Sequence, residues 1–366
     1  MALKYIQLTE SLRREIIRRG PLGEQKLPTE ADLMRAYGVS RQTVRQALSV
    51  LQNEGMIVKR QGSGTYIAPG LFPSAFSSHD IAILLPDTAG YRSPYEIGDV
   101  QTLLNEAGYS ASIYSTENRA ALERELLLRF LDKPVRGLLV RSVRTGFPNP
   151  NLSLYQELAA RGTAIVSVGE SRPDLSDSPA LWVTSDDFGG GALLADHLLS
   201  LGHKKIAGIF RLDNQSGADR YAGVLHALCE NGLGFDDRNF LWYDPLHVRM
   251  PESKVLLSFI RTQLTGCTAV ICQDESIAAA LIQELQRLGI PVPQRISVAA
   301  FASGTEASRQ ARITCAVHPN RKPWLLAADL LLAKIAGKPV SSVSFPWALQ
   351  TGDTTEAVSE IPLPVR

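Results

Sequence analysis

Apolar residues follow two regimes along the chain, and the change falls near residue 80. Before it the spacing is helical. Tyr5, Leu8, Leu12 and Ile16 recur at three- and four-residue steps, the period of an amphipathic helix, and Gly20-Pro21 ends it. Thr29 with Asp32 three residues later fits a capping box at the start of a second helix, whose inward face is Leu33 and Tyr37. After a turn at Gly38-Val39, Ser40 is the expected N-cap of a third helix that reaches about residue 53 and is stopped by Gly55. Val44, Ala47, Leu48 and Leu51 form its apolar stripe, whereas Arg41 and Arg45, one turn apart, share the opposite face. Two β-like strings, 56–60 and 65–68, follow, joined by a glycine-rich hairpin, Gln61-Gly62-Ser63-Gly64. The expected unit is a winged helix-turn-helix. A helix with an apolar back and an arginine-bearing front suits the major groove of DNA.

From Ile81 short apolar runs alternate with amphipathic stretches. Strands are expected at 81–86, 110–116, 135–141 and 163–169, with helices at 95–108, 119–132 and 152–161 between and after them. A second set opens with a helix at 189–203, then alternates strands at 205–210, 240–243, 268–273 and 296–301 with helices at 217–231, 252–264 and 277–288. Repeated βα units imply parallel sheets with right-handed crossovers, and two sets imply two α/β lobes facing a cleft. Ligands in such folds sit beyond the carboxyl ends of the strands. The expected fold class is therefore α/β, with three segments: a winged helix-turn-helix at 1–68, a Pro/Ser/Gly-rich linker at 69–79, and a two-lobed effector-binding and dimerisation domain at 80–366.

Composition sharpens this division. Over the whole chain 38 Lys+Arg and 37 Asp+Glu nearly cancel, yet the first seventy residues carry 11 and 6, so a basic head precedes a mildly acidic body. A hydrophobic fraction of 45% is that of a globular protein with a full core. No run approaches the ~18 apolar residues of a membrane span. The charged, amphipathic start has no apolar signal-peptide core, so a cytoplasmic protein without a membrane partner is expected. Four cysteines, Cys229, Cys267, Cys272 and Cys315, lack metal-binding spacing, and core packing is expected of Cys267 and Cys272. No cofactor, metal or catalytic motif is indicated: HExxH, P-loop and GxSxG patterns are missing, so the chain is not expected to be an enzyme. Gly189-Gly190-Gly191 opens a helix without a Lys-Ser/Thr tail, and close packing between the lobes is its expected role.

Two resemblances add to this reading. Residues 27–67, LPTEADLMRAYGVSRQTVRQALSVLQNEGMIVKRQGSGTYI, resemble the DNA-binding domain of the GntR family of bacterial transcription regulators, wing included. The resemblance implies that Arg41 and Arg45 contact base edges, that Ser40 and Thr43 contact phosphate or base, and that Gln61 and Gly62 enter the minor groove. Lys4, Thr29 and Glu30 complete the implied DNA face, Glu30 by orienting an arginine or accepting from cytosine. Ala31 departs from the arginine many relatives carry there.

The body, through TSDDFGGGALLADHLLSLGHKKIAGIF, SGADRYAGVLHAL, TAVICQDESIAAALIQELQRLGIPVPQRISVAAF and ITCAVHP in that order, resembles the sugar-binding domain of LacI/GalR-type repressors. That domain is itself similar to periplasmic sugar-binding proteins. This implies an effector pocket of Tyr91, Ser93, Tyr95, Arg141, Glu170, Asp187, Arg220 and Gln273, with Arg220 gripping hydroxyls through its planar fork. Plainer roles stay open: Asp187 also suits a helix cap, Tyr95 a core position and Glu170 a solvated one. Ala302 and Ser303 stand where relatives usually carry two aspartates, and His318 is a substitute acceptor. Head and body together resemble sugar-responsive repressors of Gram-positive bacteria. They imply a homodimer on a double-stranded DNA operator, controlled by a small sugar-like effector such as L-arabinose. The same residues also fit an activator, or a sugar-binding protein whose head contacts only protein.

Overall fold

A computed structural model describes residues 4–19, 26–60, 63–68, 79–86, 94–169, 181–248, 250, 252–302, 312–318 and 323–358. The wing tip Gln61-Gly62, Tyr91, Ser93, Glu170, Ser303 and most of the expected linker lie outside these residues, as does the side chain of Tyr95.

Three helices and a hairpin form the head: α1 (Lys4–Arg19), α2 (Glu30–Tyr37), α3 (Arg41–Asn53), then antiparallel β1 (Ile57–Arg60) and β2 (Gly64–Ile67). Leu8, Leu12 and Ile16 of α1 meet Leu33, Val44, Leu48 and Leu51 in one core, closed by Ile57 and Ile67 of the hairpin. The expected capping box is present: Thr29 Oγ1 accepts from the Asp32 N–H, and the Asp32 carboxylate accepts from the Thr29 N–H. Gly38 ends α2 in the left-handed region at φ 61°, a conformation that sets the turn into α3. Tyr37 does not face inward. The chain turns away at Gly38, so this last residue of α2 stands at the edge of the core, 39% exposed.

The body contains two six-stranded sheets among the described residues. The first is built from β3 (Asp80–Leu85), β4 (Ser110–Ser115), β5 (Gly137–Val140), β6 (Ala164–Val168) and β7 (Leu181–Ser185), with α4 (Pro94–Glu106), α5 (Ala120–Asp132) and α6 (Leu152–Ala160) between them. The second follows α7 (Asp187–Ser200). It contains β8 (Ile206–Arg211), β9 (Phe240–Tyr243), β10 (Ala269–Cys272), β11 (Ser297–Phe301) and β12 (Thr314–Val317), connected through α8 (Gln215–Glu230), α9 (Ser253–Thr262) and α10 (Glu275–Arg287). The chain then returns to the first lobe with α11 (Pro323–Ile335) and β13 (Val343–Phe345), and ends in the second with β14 (Ala348–Gln350). Strand orders are β13-β7-β6-β5-β3-β4 and β14-β12-β11-β10-β8-β9, every pairing parallel except β12 with β14.

Burial explains the unbroken apolar runs. Ile81, Ile83, Leu139 and Val166 pack on the side of α4 and α11, while Ala82, Leu84, Leu138 and Ile165 pack on the side of α5 and α6. A parallel strand covered on both faces has no polar side to alternate with. Cys267, Cys272 and Cys315 lie in the core of the second lobe, where burial pushes the Cys272 thiol well up and that of Cys315 to about 12, helped by Glu275.

The triple glycine packs within one lobe and not between two. A methyl group on Gly191 would overlap the carbonyl oxygen of Arg220 in α8, and one on Gly223 that of Phe188 in α7. These glycines bring α7 and α8 backbone to backbone. Among the described residues no helix is long and apolar enough to cross a membrane.

Candidate functional site: an arginine-faced helix and an interlobe cleft

On the head, the back of α3 is buried and its front is open. Arg41 and Arg45 are 73% and 68% exposed, and both reach the carboxylate of Glu30 on α2, at 3.2 and 3.9 Å. One acid thus spaces two like charges that would otherwise repel, through exposed ion pairs weak enough for a nucleic acid to displace. Ser40 Oγ accepts from the Thr43 N–H at 3.2 Å and lies 2.9 Å from Thr43 Oγ1, placing two hydroxyls at the N-terminus of α3. Thr29 caps α2, and Lys4 is exposed at the start of α1.

Between the two sheets lies a cleft of about 730 Å³, lined from the first lobe by Asn118, Arg141, Arg144 and Ser185. From the second lobe it is lined by Asp187, Arg211, Arg220, Gln273, Phe301 and Trp347. Arg220 is held on three sides. Its Nε donates to Asp187 Oδ1 at 2.8 Å, its Nη1 to the backbone oxygen of Gln273 at 2.7 Å, and its guanidinium lies 3.9 Å from the Phe301 ring centroid and 5.4 Å from that of Trp347. The remaining N–H groups of a fork fixed in this way are available to a ligand oxygen. Asp186, not Asp187, caps α7, accepting from the Gly189 N–H at 2.9 Å, which leaves Asp187 to face Arg220. The Gln273 side chain is buried, its Oε1 3.4 Å from the Arg211 N–H.

Polar contacts join the lobes across this cleft. Arg211 forms a fork with Asp213 at 2.6 and 3.0 Å, and Asn118 Nδ2 of the first lobe donates to the same carboxylate at 2.7 Å. Burial is the largest single influence on Asp213 and opposes its ionisation. The hydrogen bonds and charge of Arg211, with the Asn118 hydrogen bond and the Arg144 charge, together outweigh it and hold the carboxyl below its usual range. Arg144 reaches Asp244 at 3.0 Å, the Gly146 N–H donates to the backbone oxygen of Asp213 at 3.1 Å, and the Gln215 N–H to Thr145 Oγ1 at 3.0 Å.

The chain passes between the lobes at 185–187, after Val317 and at 345–348, and these crossings are tied together. The Asp186 N–H donates to the Phe345 oxygen at 2.8 Å. His318 contacts Ser185 Oγ at 2.7 Å and the Pro346 oxygen at 3.1 Å, and its ring stacks on Trp347 at 3.7 Å. With a carbonyl oxygen facing Nδ1, that nitrogen carries the proton and Nε2 accepts from Ser185. His318 is therefore part of this junction and does not replace the missing aspartates as a cleft acceptor.

The head matches the model of bacterial regulatory proteins of the gntR family over residues 4–67, and a periplasmic binding protein-like domain matches residues 195–355. The chain is 30% identical over 342 residues to an arabinose metabolism transcriptional repressor of Geobacillus stearothermophilus, covering 93% of each chain. The chain belongs to the gntR family. A second relative, the protein of the same name from Halalkalibacterium halodurans, is 28% identical over 92% of this chain and 90% of its own length. A solved transcription regulator from Chromobacterium violaceum superposes with a TM-score of 0.64 at 23% identity, over 75% of this chain and 99% of the other, and so shares the fold of the body.

As a gntR-family regulator, this is a DNA-binding protein of transcription control, and a head that contacts only protein is not favoured. Of the residues expected in its effector pocket, the fold brings Arg141, Asp187, Arg220 and Gln273 to one cleft. Sequence reasoning missed Asn118, Arg144, Arg211, Phe301 and Trp347. Arg211 offered the signal used for Arg141, a charge at the carboxyl end of an apolar strand. Trp347 lies beyond the last strand that periodicity traced.

Proposed function

We propose that this protein is a repressor of a sugar-utilisation operon whose operator affinity is set by a small sugar-like effector bound between the lobes. The observation that carries the reading is Arg220, fixed by Asp187 and the Gln273 carbonyl over two aromatic faces, in a cleft built from both lobes. Such a cleft couples ligand contacts to lobe geometry. That the relatives are repressors of arabinose metabolism supports a sugar as effector, with L-arabinose the first to test. On the head, Arg41 and Arg45 read base edges, Ser40, Thr43, Thr29 and Lys4 contact the backbone, Glu30 aligns the arginines, and Gln61-Gly62 of the wing enter the minor groove.

The body pairs with a second copy, and two heads engage a pseudo-palindromic operator. Effector binding lowers operator affinity because it favours the lobe arrangement that separates the heads unsuitably for both half-sites. It does so only by its differential affinity for the two arrangements. The test is operator binding by fluorescence anisotropy across a panel of pentoses and hexoses, L-arabinose first, with sedimentation for the dimer. A ligand that weakens operator binding while raising the melting temperature is expected. Operator affinity that neither these sugars nor their acid and phosphate derivatives change ends the proposal.

A further inference from the structure

One cation of the cleft stands apart from its acids. Four arginines line it, and three of them face a carboxylate: Arg220 with Asp187, Arg211 with Asp213, Arg144 with Asp244. Arg141, at the carboxyl end of β5, has no ion pair or side-chain hydrogen bond among the described residues, although it is half-buried with its guanidinium against Gly169. A lysine so placed could shed its proton; an arginine cannot, and it stands as a partly desolvated cation awaiting an anion.

The acids of the cleft are differently placed. Asp187 accepts from Arg220, Asp274 is spent capping α10 through the Ser276 and Ile277 N–H groups, and Glu96 accepts from the Trp324 N–H. Ala302, in the position after β11, offers no side-chain acceptor. One oxygen of each of these carboxylates is thus occupied within the protein, and among the described residues none of the three forms an ion pair with Arg141.

A second observation comes from Asn118, three residues beyond β4 and 7% exposed. Asp213, kept ionised by Arg211, draws the amide nitrogen towards itself, which fixes the amide's orientation and leaves Asn118 Oδ1 buried without a donor. The Trp347 indole N–H is likewise buried without an acceptor. Unsatisfied buried groups cost stability until a partner fills them. The Asn118 N–H donates to the Pro86 oxygen and the Arg141 N–H to the Leu84 oxygen, so the two residues flank the end of β3 from opposite sides, roughly two strand spacings or 10 Å apart. An anionic group at one end and a hydroxyl at the other would bridge them in a molecule of pentose or hexose size.

We infer that the natural effector is an acidic sugar derivative, a sugar acid or sugar phosphate, whose anionic group seats on Arg141 and one of whose hydroxyls donates to Asn118 Oδ1. This rests on the effector reading above and names the charge class of its ligand. The test is calorimetric titration of the full chain with L-arabinose, D-galactose and D-glucose, each as the free sugar, the aldonate and the phosphate monoester. For at least one skeleton an anionic form is expected to bind at least about tenfold tighter than its parent, the gain expected of a charge-assisted fork. Arg141→Gln should bring the pair within about twofold of each other, while Arg141→Lys retains part of the preference. A phosphate arm that strengthens as pH rises through about 6 identifies a phosphoryl group, and a flat profile a carboxylate. Equal or tighter binding of the neutral sugars, or a preference that survives Arg141→Gln, overturns this inference alone. If no member of the panel binds the wild-type chain, the effector reading falls and this inference with it.

Discussion

At the scale of single residues the head and the cleft use one device: an acid that fixes an arginine without consuming it. Glu30 spaces Arg41 and Arg45 on the DNA face, and Asp187 orients Arg220 in the cleft. The consequences of removing the arginine differ because the burial differs. Arg45→Ala leaves the half-buried Glu30 paired with Arg41, so folding is unaffected and only the base contact is lost. Operator affinity should fall by ~1–3 kcal/mol while binding to random duplex changes little, as competition anisotropy would show. An unchanged operator affinity would remove Arg45 from the reading surface. Arg220→Ala instead strands Asp187 in the second lobe and unseats the ring contacts of Phe301 and Trp347. Thermal melts should show a loss of about 2–4 kcal/mol, and sugar-induced stabilisation should vanish. Arg220→Lys should restore part of the stability and none of the ligand effect, because an ammonium cannot hold Asp187 and the Gln273 carbonyl in one plane.

At the scale of elements, what sequence periodicity revealed and what it hid follow from burial. Strands β3, β5, β6, β8, β10 and β11 are short apolar runs because both faces are covered, and each was legible as such. α11 was concealed for a different reason: Trp324, Ala327, Ala328 and Leu331 of PWLLAADLLLAKI are buried, but Leu325, Leu326, Leu330 and Leu332 make the half-buried remainder apolar too, so no polar face gives the helix its period. β13 and β14 have three residues each, too few for any alternation to register. Trp347 sits between them, so the aromatic half of the Arg220 seat was invisible with the strands that carry it. Asp187, Arg220 and Gln273 were found through resemblance, without a local pattern that marks a ligand, and Arg141 through its place at the end of an apolar strand. Their convergence depends on contacts that span 33 residues from Asp187 to Arg220 and 53 from Arg220 to Gln273, and on the two lobes facing each other. The triple glycine was noticed and assigned to the wrong contact, since a sequence shows that backbones approach and not which ones. The observed contact makes a sharper prediction. Gly191→Ala must push α7 off Arg220's own backbone, costing ~1–3 kcal/mol by overpacking. Because the displaced residue carries the cleft guanidinium, ligand affinity should fall along with the melting temperature. A variant destabilised with unaltered ligand binding would separate the helix contact from the site.

At the scale of the molecule, two sets of contacts hold the body together, and they respond to different variables. One set clamps the C-terminal segment to the second lobe. His203 lies between Thr268 Oγ1 at 2.8 Å and the Glu356 oxygen at 3.1 Å, and His197 lies 3.0 Å from Thr355 Oγ1. Burial lowers the pKa of both below the ordinary value of 6.5. Above 6.5 both are neutral folded or unfolded, and the clamp contributes in full. As pH falls below it, the unfolded chain takes up protons that the folded chain refuses, so stability declines towards the lowered folded values. The melting temperature should be flat on the alkaline side and drop towards about pH 5, with His203→Gln flattening the slope; a wild-type profile flat throughout would refute the clamp.

The other set latches the lobes: Asn118 and Arg144 of the first lobe to Asp213 and Asp244 of the second. A ligand that touches both lobes binds the latched arrangement, so its apparent affinity scales with the latched fraction of the population. Arg144→Ala, at a position where φ is 50°, removes the partly exposed ion pair with Asp244 together with the guanidinium contact on the Phe147 ring, a loss of about 1 kcal/mol for the ion pair after screening. The latched fraction then falls, the radius of gyration in small-angle scattering rises, and ligand affinity weakens by up to about fivefold while the intrinsic contacts at Arg220 are intact. Saturating ligand should restore the wild-type scattering curve, because binding energy closes what the mutation opened. A variant whose scattering is unchanged but whose ligand affinity has dropped would place Arg144 in contact with the ligand itself, and would exclude a latch.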